Sequence, residues 1–273
     1  MFSKYPLKKG DCVWLIGASQ GIGHALALAL AKQGVHLIIS ARDRERLQML
    51  HHTLVTQHGI SCHIQVLDVV EPESWRQAWQ AVPAWLASCN LTLDRVVYNA
   101  GAYQPMSACS ADLQAVEQMW QVNVMGAVRL TSDLIAYWAK SNLPSKPIRH
   151  LHLIGSVAGY RGLPNAMGYG LSKAALIHFA QNLCCDLPAK HAIRVQVINP
   201  GFVKTRLTDQ NTFVMPGLMM PDQAAKSIVC AMASKRFDVR FPWVFANMVY
   251  RISRLPYRIY FALMRRVSGA NQN

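Results

Sequence analysis

The chain has 273 residues, 52% of them apolar and only 15% charged, which excludes a disordered polypeptide and allows one sizeable core. Its 28 Lys and Arg against 14 Asp and Glu leave a net charge of +14, which suits nucleic acid or an anionic membrane surface without choosing between them. Seven cysteines (12, 62, 89, 109, 184, 185 and 230) form neither a CxxC pair nor an even framework, so reduced thiols in a cytosolic compartment are expected.

In chain order, short β-branched or apolar runs alternate with stretches of helical periodicity. Strands are expected at Cys12–Gly17, Val35–Ser40, Ser61–Asp68, Leu93–Asn99, Ile148–Ser156 and Ile193–Asn199, several almost wholly apolar, as in a sheet buried on both faces. Helices are expected at Ile22–Gln33, Arg44–His58, Pro72–Ser88, Ala111–Ser141 and Met167–Leu187. This alternation predicts an α/β fold, a doubly wound parallel sheet with helices on both faces. No Pro/Gly/Ser-rich linker divides the first 240 residues, so residues 1–240 read as one domain and 241–273 as a basic C-terminal extension. No apolar run approaches the roughly 18 residues of a membrane-spanning helix. The amino terminus lacks the apolar stretch of a secretory signal.

The first strand runs into Gly17-Ala18-Ser19-Gln20-Gly21-Ile22-Gly23, and a helix opens at once. A strand, glycine loop and helix present backbone N–H groups and a helix N-terminus to a pyrophosphate, with glycines permitting close approach. The second strand ends at Ala41, followed by Arg42 and Asp43. An acid at that end would receive the ribose hydroxyls of NAD, whereas an arginine suits the 2′-phosphate of NADP. Arg42 is read either as that ligand or as part of a charged helix start.

Ser156 ends a strand, and thirteen residues later comes Tyr169-Gly170-Leu171-Ser172-Lys173. Positions i and i+4 share a helix face, so Tyr169 and Lys173 should enter the same space. An ammonium beside the phenol is expected to lower its ordinary pKa of about 10, making an acid/base for carbonyl–alcohol interconversion. Ser156 would hydrogen-bond the same carbonyl oxygen. Asn123 is the remaining polar candidate, mid-helix between apolar neighbours.

Taken together, Gly17–Gly23, Asn99-Ala100-Gly101, Asn123, Ser156, Tyr169/Lys173 and Asn199-Pro200-Gly201 through Thr205 resemble the ordered signature of the short-chain dehydrogenase/reductase family, over roughly residues 10 to 240. The resemblance implies a Rossmann-type fold, a nicotinamide cofactor, and hydride transfer between nicotinamide C4 and a carbonyl or carbinol carbon. It implies Tyr169 as proton donor and Lys173 as the group that lowers its pKa and binds the nicotinamide ribose. Ser156 would polarise the substrate oxygen, and Asn123 would position water in a relay to Lys173. On the cofactor side it implies Gly17, Ser19, Gln20, Gly21, Ile22 and Gly23 at the phosphates, and Asp68 and Val69 at the adenine. Asn99, Ala100 and Gly101 would line the adenosine side, and Pro200, Gly201, Val203 and Thr205 would hold the carboxamide. Three positions depart from the pattern: Ile16 where many members have Thr, Tyr98 in place of the first Asn of Asn-Asn-Ala-Gly, and Gln20 where NADPH-preferring members often carry Lys or Arg.

Residues 206–220 hold Met215, Met219, Met220, Phe213, Leu207 and Leu218, read either as a deformable apolar lid for a chain-like substrate or as core. From Lys235 onward there are eight basic residues (235, 236, 240, 251, 254, 258, 265 and 266) and one acid, Asp238. Val239–Trp243 reads as a last strand, followed by two amphipathic stretches divided by Pro256, with Arg251, Arg254, Arg258 and Arg265 nearly on one face if the helix resumes. This composition fits interfacial membrane contact, a helix closing the substrate pocket, or packing in a homo-oligomer. Nucleic acid is not expected as a partner, since an apolar helix face has no use there. The leading reading is an NADP(H)-dependent oxidoreductase reducing a ketone or 3-oxo group on an apolar substrate, in the cytoplasm or peripheral at a membrane. The alternatives are an NAD-dependent alcohol or hydroxysteroid-type dehydrogenase, and a nicotinamide-binding sensor or membrane-docked scaffold without turnover.

Overall fold

The computed structural model describes residues 5–140, 148–187, 192–211 and 213–267. Its strands are β1 (Cys12–Ile16), β2 (His36–Ala41), β3 (Cys62–Val66), β4 (Arg95–Tyr98), β5 (Arg149–Ile154), β6 (Ile193–Pro200) and β7 (Asp238–Phe241). All pair in parallel, in the order β3-β2-β1-β4-β5-β6-β7. The strand order reverses between β1 and β4, and their carboxyl ends flank the crevice where open α/β sheets bind ligands. The expected doubly wound single-domain fold is therefore present.

The helices are α1 (Gly21–Ala31), α2 (Arg44–His58), α3 (Pro72–Ser88), α4 (Leu113–Trp120), α5 (Gly126–Lys140), α6 (Met167–Asp186), α7 (Pro221–Met232), α8 (Trp243–Ile252) and α9 (Tyr257–Val267). Strand alternation divides the core into two layers. Val13 and Leu15 of β1 face α1, α2 and α7, where Leu26, Leu30, Leu47, Leu50 and Ile228 are buried. Cys12, Trp14 and Ile16 face α3, α5 and α6, where Trp75, Val82, Leu130, Leu134 and Leu176 are buried. Each such side chain contributes about 1.5–3 kcal/mol by leaving water, and both faces of the sheet are covered.

Two sequence expectations need correction. The single helix expected over Ala111–Ser141 is divided into α4, a π turn at Gln121–Met125, and α5; Ser141 lies outside the described residues. Asp112 caps α4 by accepting the Ala115 N–H at 3.1 Å, which sets the start two residues late. The interruption follows from Tyr98, whose buried hydroxyl donates to the Val122 carbonyl at 2.5 Å. A Cβ at position 126 would lie 2.1 Å from that hydroxyl, so Gly126 makes room for it. Tyr98, a departure from the family pattern, thus holds the irregular turn that carries Asn123.

The second correction concerns the tail. The chain leaves helix α8 at Ile252 and resumes at Tyr257, so Arg251, Arg254, Arg258 and Arg265 are divided between a helix, a turn and a second helix rather than carried on one helix. Pro256 lacks an N–H, and Arg161 takes the Ser253 and Leu255 carbonyls as acceptors, which interrupts the helical ladder. No helix among the described residues is long and apolar enough to cross a membrane.

Candidate active site

One continuous cleft of about 1460 Å³ opens at the carboxyl ends of β1 and β4. Every catalytic and cofactor-binding candidate expected from the sequence lines it except two. Gly23 packs instead under the loop: a Cβ there would meet the Gly17 carbonyl at 1.9 Å. Asn123 is fully buried behind the wall.

The first end of the cleft is the glycine turn. Gly17 has φ +90°, and a Cβ on it would come within 2.6 Å of the Ala100 backbone, so only glycine lets β1 turn here against the β4 loop. Asn99 ties the two loops by donating to the Gly17 carbonyl at 2.8 Å. The N-cap residue of α1, Gln20, makes no side-chain cap, and no acid stands in the first turn. The opening N–H groups of α1 therefore face the cleft unmasked, which is the arrangement a pyrophosphate requires. Ser19, Gly21 and Ile22 line the same floor, and Asp68 and Val69 form the wall beyond β3. The Asp68 carboxylate is braced by the Val70 N–H at 3.0 Å.

At the rim, Arg42 and Arg46 both line the cleft. Arg46 donates to Gln20 Oε1 at 2.9 Å and pairs with Asp43 at 3.0 Å. Asp43 in turn caps α2 through the Arg46 N–H at 3.0 Å. Sequence reasoning placed Arg46 only among charged helix-start residues. Its signal was the position three residues after an N-capping Asp, which brings the guanidinium back over the glycine loop. Arg46 thus brings a cation, from α2, beside Gln20 at the rim of the cleft.

The chemical centre lies in the middle. Tyr169 and Lys173 stand one turn apart on α6, with the Lys173 Nζ 5.7 Å from the centre of the Tyr169 ring. Ser156, at the end of β5, hydrogen-bonds the Tyr169 phenol, which draws its pKa down, but burial wins and pushes it up to about 12. The lowering expected from Lys173 is not present in this arrangement. Its buried ammonium donates to the Ile154 carbonyl at 2.8 Å, and desolvation brings its own pKa down to about 8.

Asn123 sits in a hydrogen-bond network of its own. Its Oδ1 accepts the Ala102 N–H at 2.7 Å, and its Nδ2 donates to the Ala102 carbonyl and to Ser172 Oγ, both at 2.9 Å. Ser172 then donates to the Tyr169 carbonyl at 2.8 Å. Both Nδ2 hydrogens are thereby committed to the protein. Asn123 is a positioning residue that locks the β4 loop to α6.

Pro200, Gly201, Val203 and Thr205 follow β6 along the same wall. Beyond them the cleft becomes apolar, and here sequence reasoning missed several residues. Tyr103 packs edge-on to Tyr169 with ring centres 4.8 Å apart and donates to Asn211, closing loop 206–211 over the phenol. Phe202 stacks near Phe213 and Phe245 at 5.8 and 5.5 Å. A Cβ on Gly201 would lie 2.9 Å from the Phe245 ring, so α8 approaches closely only because of that glycine. Met248, Ile252, Tyr260 and Met264 of the two last helices line the cleft, so the extension forms part of its wall. Phe213 lines it as well, whereas Met219 packs on the core; Thr212, within the lid interval, lies outside the described residues.

Arg161 fastens the extension. Its guanidinium lies 4.1 and 4.3 Å over the rings of Tyr257 and Tyr260, and it donates to the Ser253 carbonyl at 2.8 Å. Tyr260 returns a hydrogen bond to the Gly162 carbonyl at 2.7 Å. Arg240, sandwiched beside Tyr250 at 3.5 Å and paired with Asp238, makes a second attachment.

One pH dependence follows. Lys173 carries its charge only below about 8, so the specificity constant for cofactor should fall as pH rises through about 8, while Tyr169 stays protonated. A profile of kcat/KM from about pH 6 to 10 checks this; a rate constant that is flat to the alkaline end contradicts it.

The family model for short chain dehydrogenase matches residues 11–213. An uncharacterized oxidoreductase of Myxococcus xanthus is 32% identical over 251 residues, covering 92% of this chain and 95% of its own. A sulfoacetaldehyde reductase of Chromohalobacter salexigens is 33% identical over 199 residues, covering 72% and 74%. Among solved structures, the RhlG/NADP active-site complex of Pseudomonas aeruginosa superposes with a TM-score of 0.75 at 24% identity, over 90% of this chain and 100% of that one, a likeness of fold. Residues 214–220 of the lid and α7–α9 lie beyond the residues that the family model matches.

Proposed function

Since the chain belongs to the short-chain dehydrogenase/reductase family and is an NAD(P)-dependent oxidoreductase, we propose that it reduces a ketone or 3-oxo group on an apolar, chain-like substrate with NADPH. The observation that carries this reading is the polarity of that continuous cleft. Two arginines stand at its nucleotide rim, a protonated phenol at its centre, and aromatic and methionine side chains at its far end.

The residues fit a nicotinamide dinucleotide. The uncapped start of α1 would take the pyrophosphate, Asp68 the adenine edge, Arg42 and Arg46 the 2′-phosphate, and Lys173 the nicotinamide ribose. The bound cofactor supplies hydride to the carbonyl carbon. The protein's part is then electrostatic and acidic. Ser156 and Tyr169 hydrogen-bond the carbonyl oxygen, and Tyr169 donates its proton as negative charge develops there. A phenol with a pKa pushed up to about 12 is already in the acid form that reduction requires, whereas alcohol oxidation requires it deprotonated. Asp43, the acid that would serve NAD, is committed to capping α2 and to Arg46.

The relatives' names include reductases of small and of acyl-chain substrates, a sulfoacetaldehyde reductase and a 3-oxoacyl-[acyl-carrier-protein] reductase. The apolar far end of the cleft favours the second kind. The test is equilibrium binding of NADPH and NADH, followed by NADPH oxidation with a series of 2-ketones of increasing chain length. We expect NADPH to bind at least about tenfold more tightly. We expect kcat/KM to rise about three- to fourfold per added methylene until the cleft is filled. Tighter NADH binding, or higher turnover with sulfoacetaldehyde than with any longer ketone, would overturn the reading.

A further inference from the structure

We propose that the mouth of the cleft docks on an anionic lipid surface, with the start of α8 and the lid entering the interface and the C-terminal arginines facing the headgroups. The apolar lining of the cleft does not end at its mouth. Phe213, Val214, Met248 and Val267 line the cleft and are also exposed, Val214 at 88%. Outside the cleft, α8 begins with Trp243 and Val244, exposed at 71% and 75%. Folding gains nothing from holding these side chains in water, and together they form an apolar rim around an apolar opening.

Charge decides what covers that rim. Residues 239–273 contain no Asp or Glu. Arg251, Arg254, Arg258, Arg265 and Arg266 are all exposed on α8, the turn and α9. The one acid of the tail, Asp238, is already paired with Arg240 at 2.8 Å. A second copy of the chain would bring arginines against arginines and +14 against +14, which repels at the distances of a packed interface. A nucleic acid would satisfy the charge and leave Trp243 and Val244 in water. An anionic bilayer satisfies both. Its acyl boundary takes the apolar rim, and each basic residue near its surface adds about fivefold to the binding constant. The docking stands on this surface alone. Its use, passing a chain-like ketone from the bilayer into the cleft, rests on the function proposed above.

The test is sedimentation of the full chain, without cofactor or ketone, with vesicles of phosphatidylcholine and with vesicles in which a third of the lipid is phosphatidylglycerol. Binding to the mixed vesicles should exceed binding to phosphatidylcholine at least about tenfold and weaken as salt is raised. Trp243→Ser/Val244→Ser should lose about tenfold or more of it, and so should Arg258→Glu/Arg266→Glu. Neither Trp243 nor Val244 lines the cleft, so NADPH oxidation with a short, water-soluble ketone should be unchanged in the first variant. Failure of that solution assay in the parent would strike the proposed reaction and leave the vesicle result standing. Pelleting with neither vesicle, or undiminished pelleting of both variants, overturns the docking. A dimer of the parent that dissociates in Trp243→Ser/Val244→Ser also overturns it, by assigning the face to a second copy.

Discussion

Replacing Tyr169 by Phe is expected to slow ketone reduction about 10²–10⁴-fold while leaving NADPH affinity within about twofold. The substitution removes one oxygen and little else. Phe keeps the edge-on contact with Tyr103 and the position on α6, since the backbone carbonyl of residue 169 still accepts from Ser172. What disappears is the proton that must reach the carbonyl oxygen as hydride arrives, together with the Ser156 hydrogen bond that draws the phenol's pKa down. Water must then bring the proton, and it is poorly placed in a cleft lined by aromatic and methionine side chains. Ser156 still hydrogen-bonds the substrate oxygen, so a residual rate above that of the uncatalysed reaction is expected. Single-turnover decay of NADPH absorbance measures the chemical step, and fluorescence titration measures binding. Equal rates for the parent and variant on every active ketone would remove Tyr169 as the acid; a large loss of NADPH affinity would make its role structural.

The strand pattern and the glycine turn were legible because each is a local rule. A strand buried on both faces must be apolar at successive positions, and a βα turn that approaches a phosphate must give up side chains. The same locality explains what was misread. The strands hold buried Arg95, His150, His152 and Gln196, whose partners lie far away in sequence: Arg95 reaches the carbonyls of Tyr5, Pro6 and Met232, and Gln196 pairs with His152. The break before α5 depends on a hydroxyl from β4, 24 residues upstream of the carbonyl it meets. A helical period cannot report that contact. The Tyr169–Lys173 pair followed from i, i+4 spacing, but the protonation of the pair did not, because desolvation is a property of everything packed around α6. The basic tail was legible in composition, while its attachment by Arg161 was not. That arginine lies about a hundred residues before the rings it stacks on, and nothing in its own neighbourhood marks it.

Removing both cationic side chains at the nucleotide rim, Arg42→Ala/Arg46→Ala, is expected to weaken NADPH binding about 10²-fold and leave NADH binding undiminished. A hydrogen bond to a charged group contributes about 1.5–3 kcal/mol when sheltered. Both guanidiniums are partly in water, so screening brings each nearer to a factor of about ten. The two single variants should not be equivalent. Arg42 stands free of the helix cap, so Arg42→Ala should remove its own attraction alone. Arg46 also neutralises Asp43 at 3.0 Å and holds Gln20 at 2.9 Å. Without it the Asp43 carboxylate faces the 2′ position unmasked, repelling a phosphate and accepting ribose hydroxyls. Arg46→Ala should therefore lose more NADPH affinity than Arg42→Ala and gain NADH affinity by a few-fold. Adding Asp43→Asn, which caps α2 as well as Asp does, separates the causes. It should restore part of the NADPH binding of Arg46→Ala and cancel the NADH gain. Raised salt should shrink every one of these differences, because the phosphate contact is between groups in water. Fluorescence titration of both cofactors against the parent and the four variants reads all of them. An NADPH affinity unchanged in Arg42→Ala/Arg46→Ala, or an equal loss for both cofactors, would take the 2′-phosphate away from this rim.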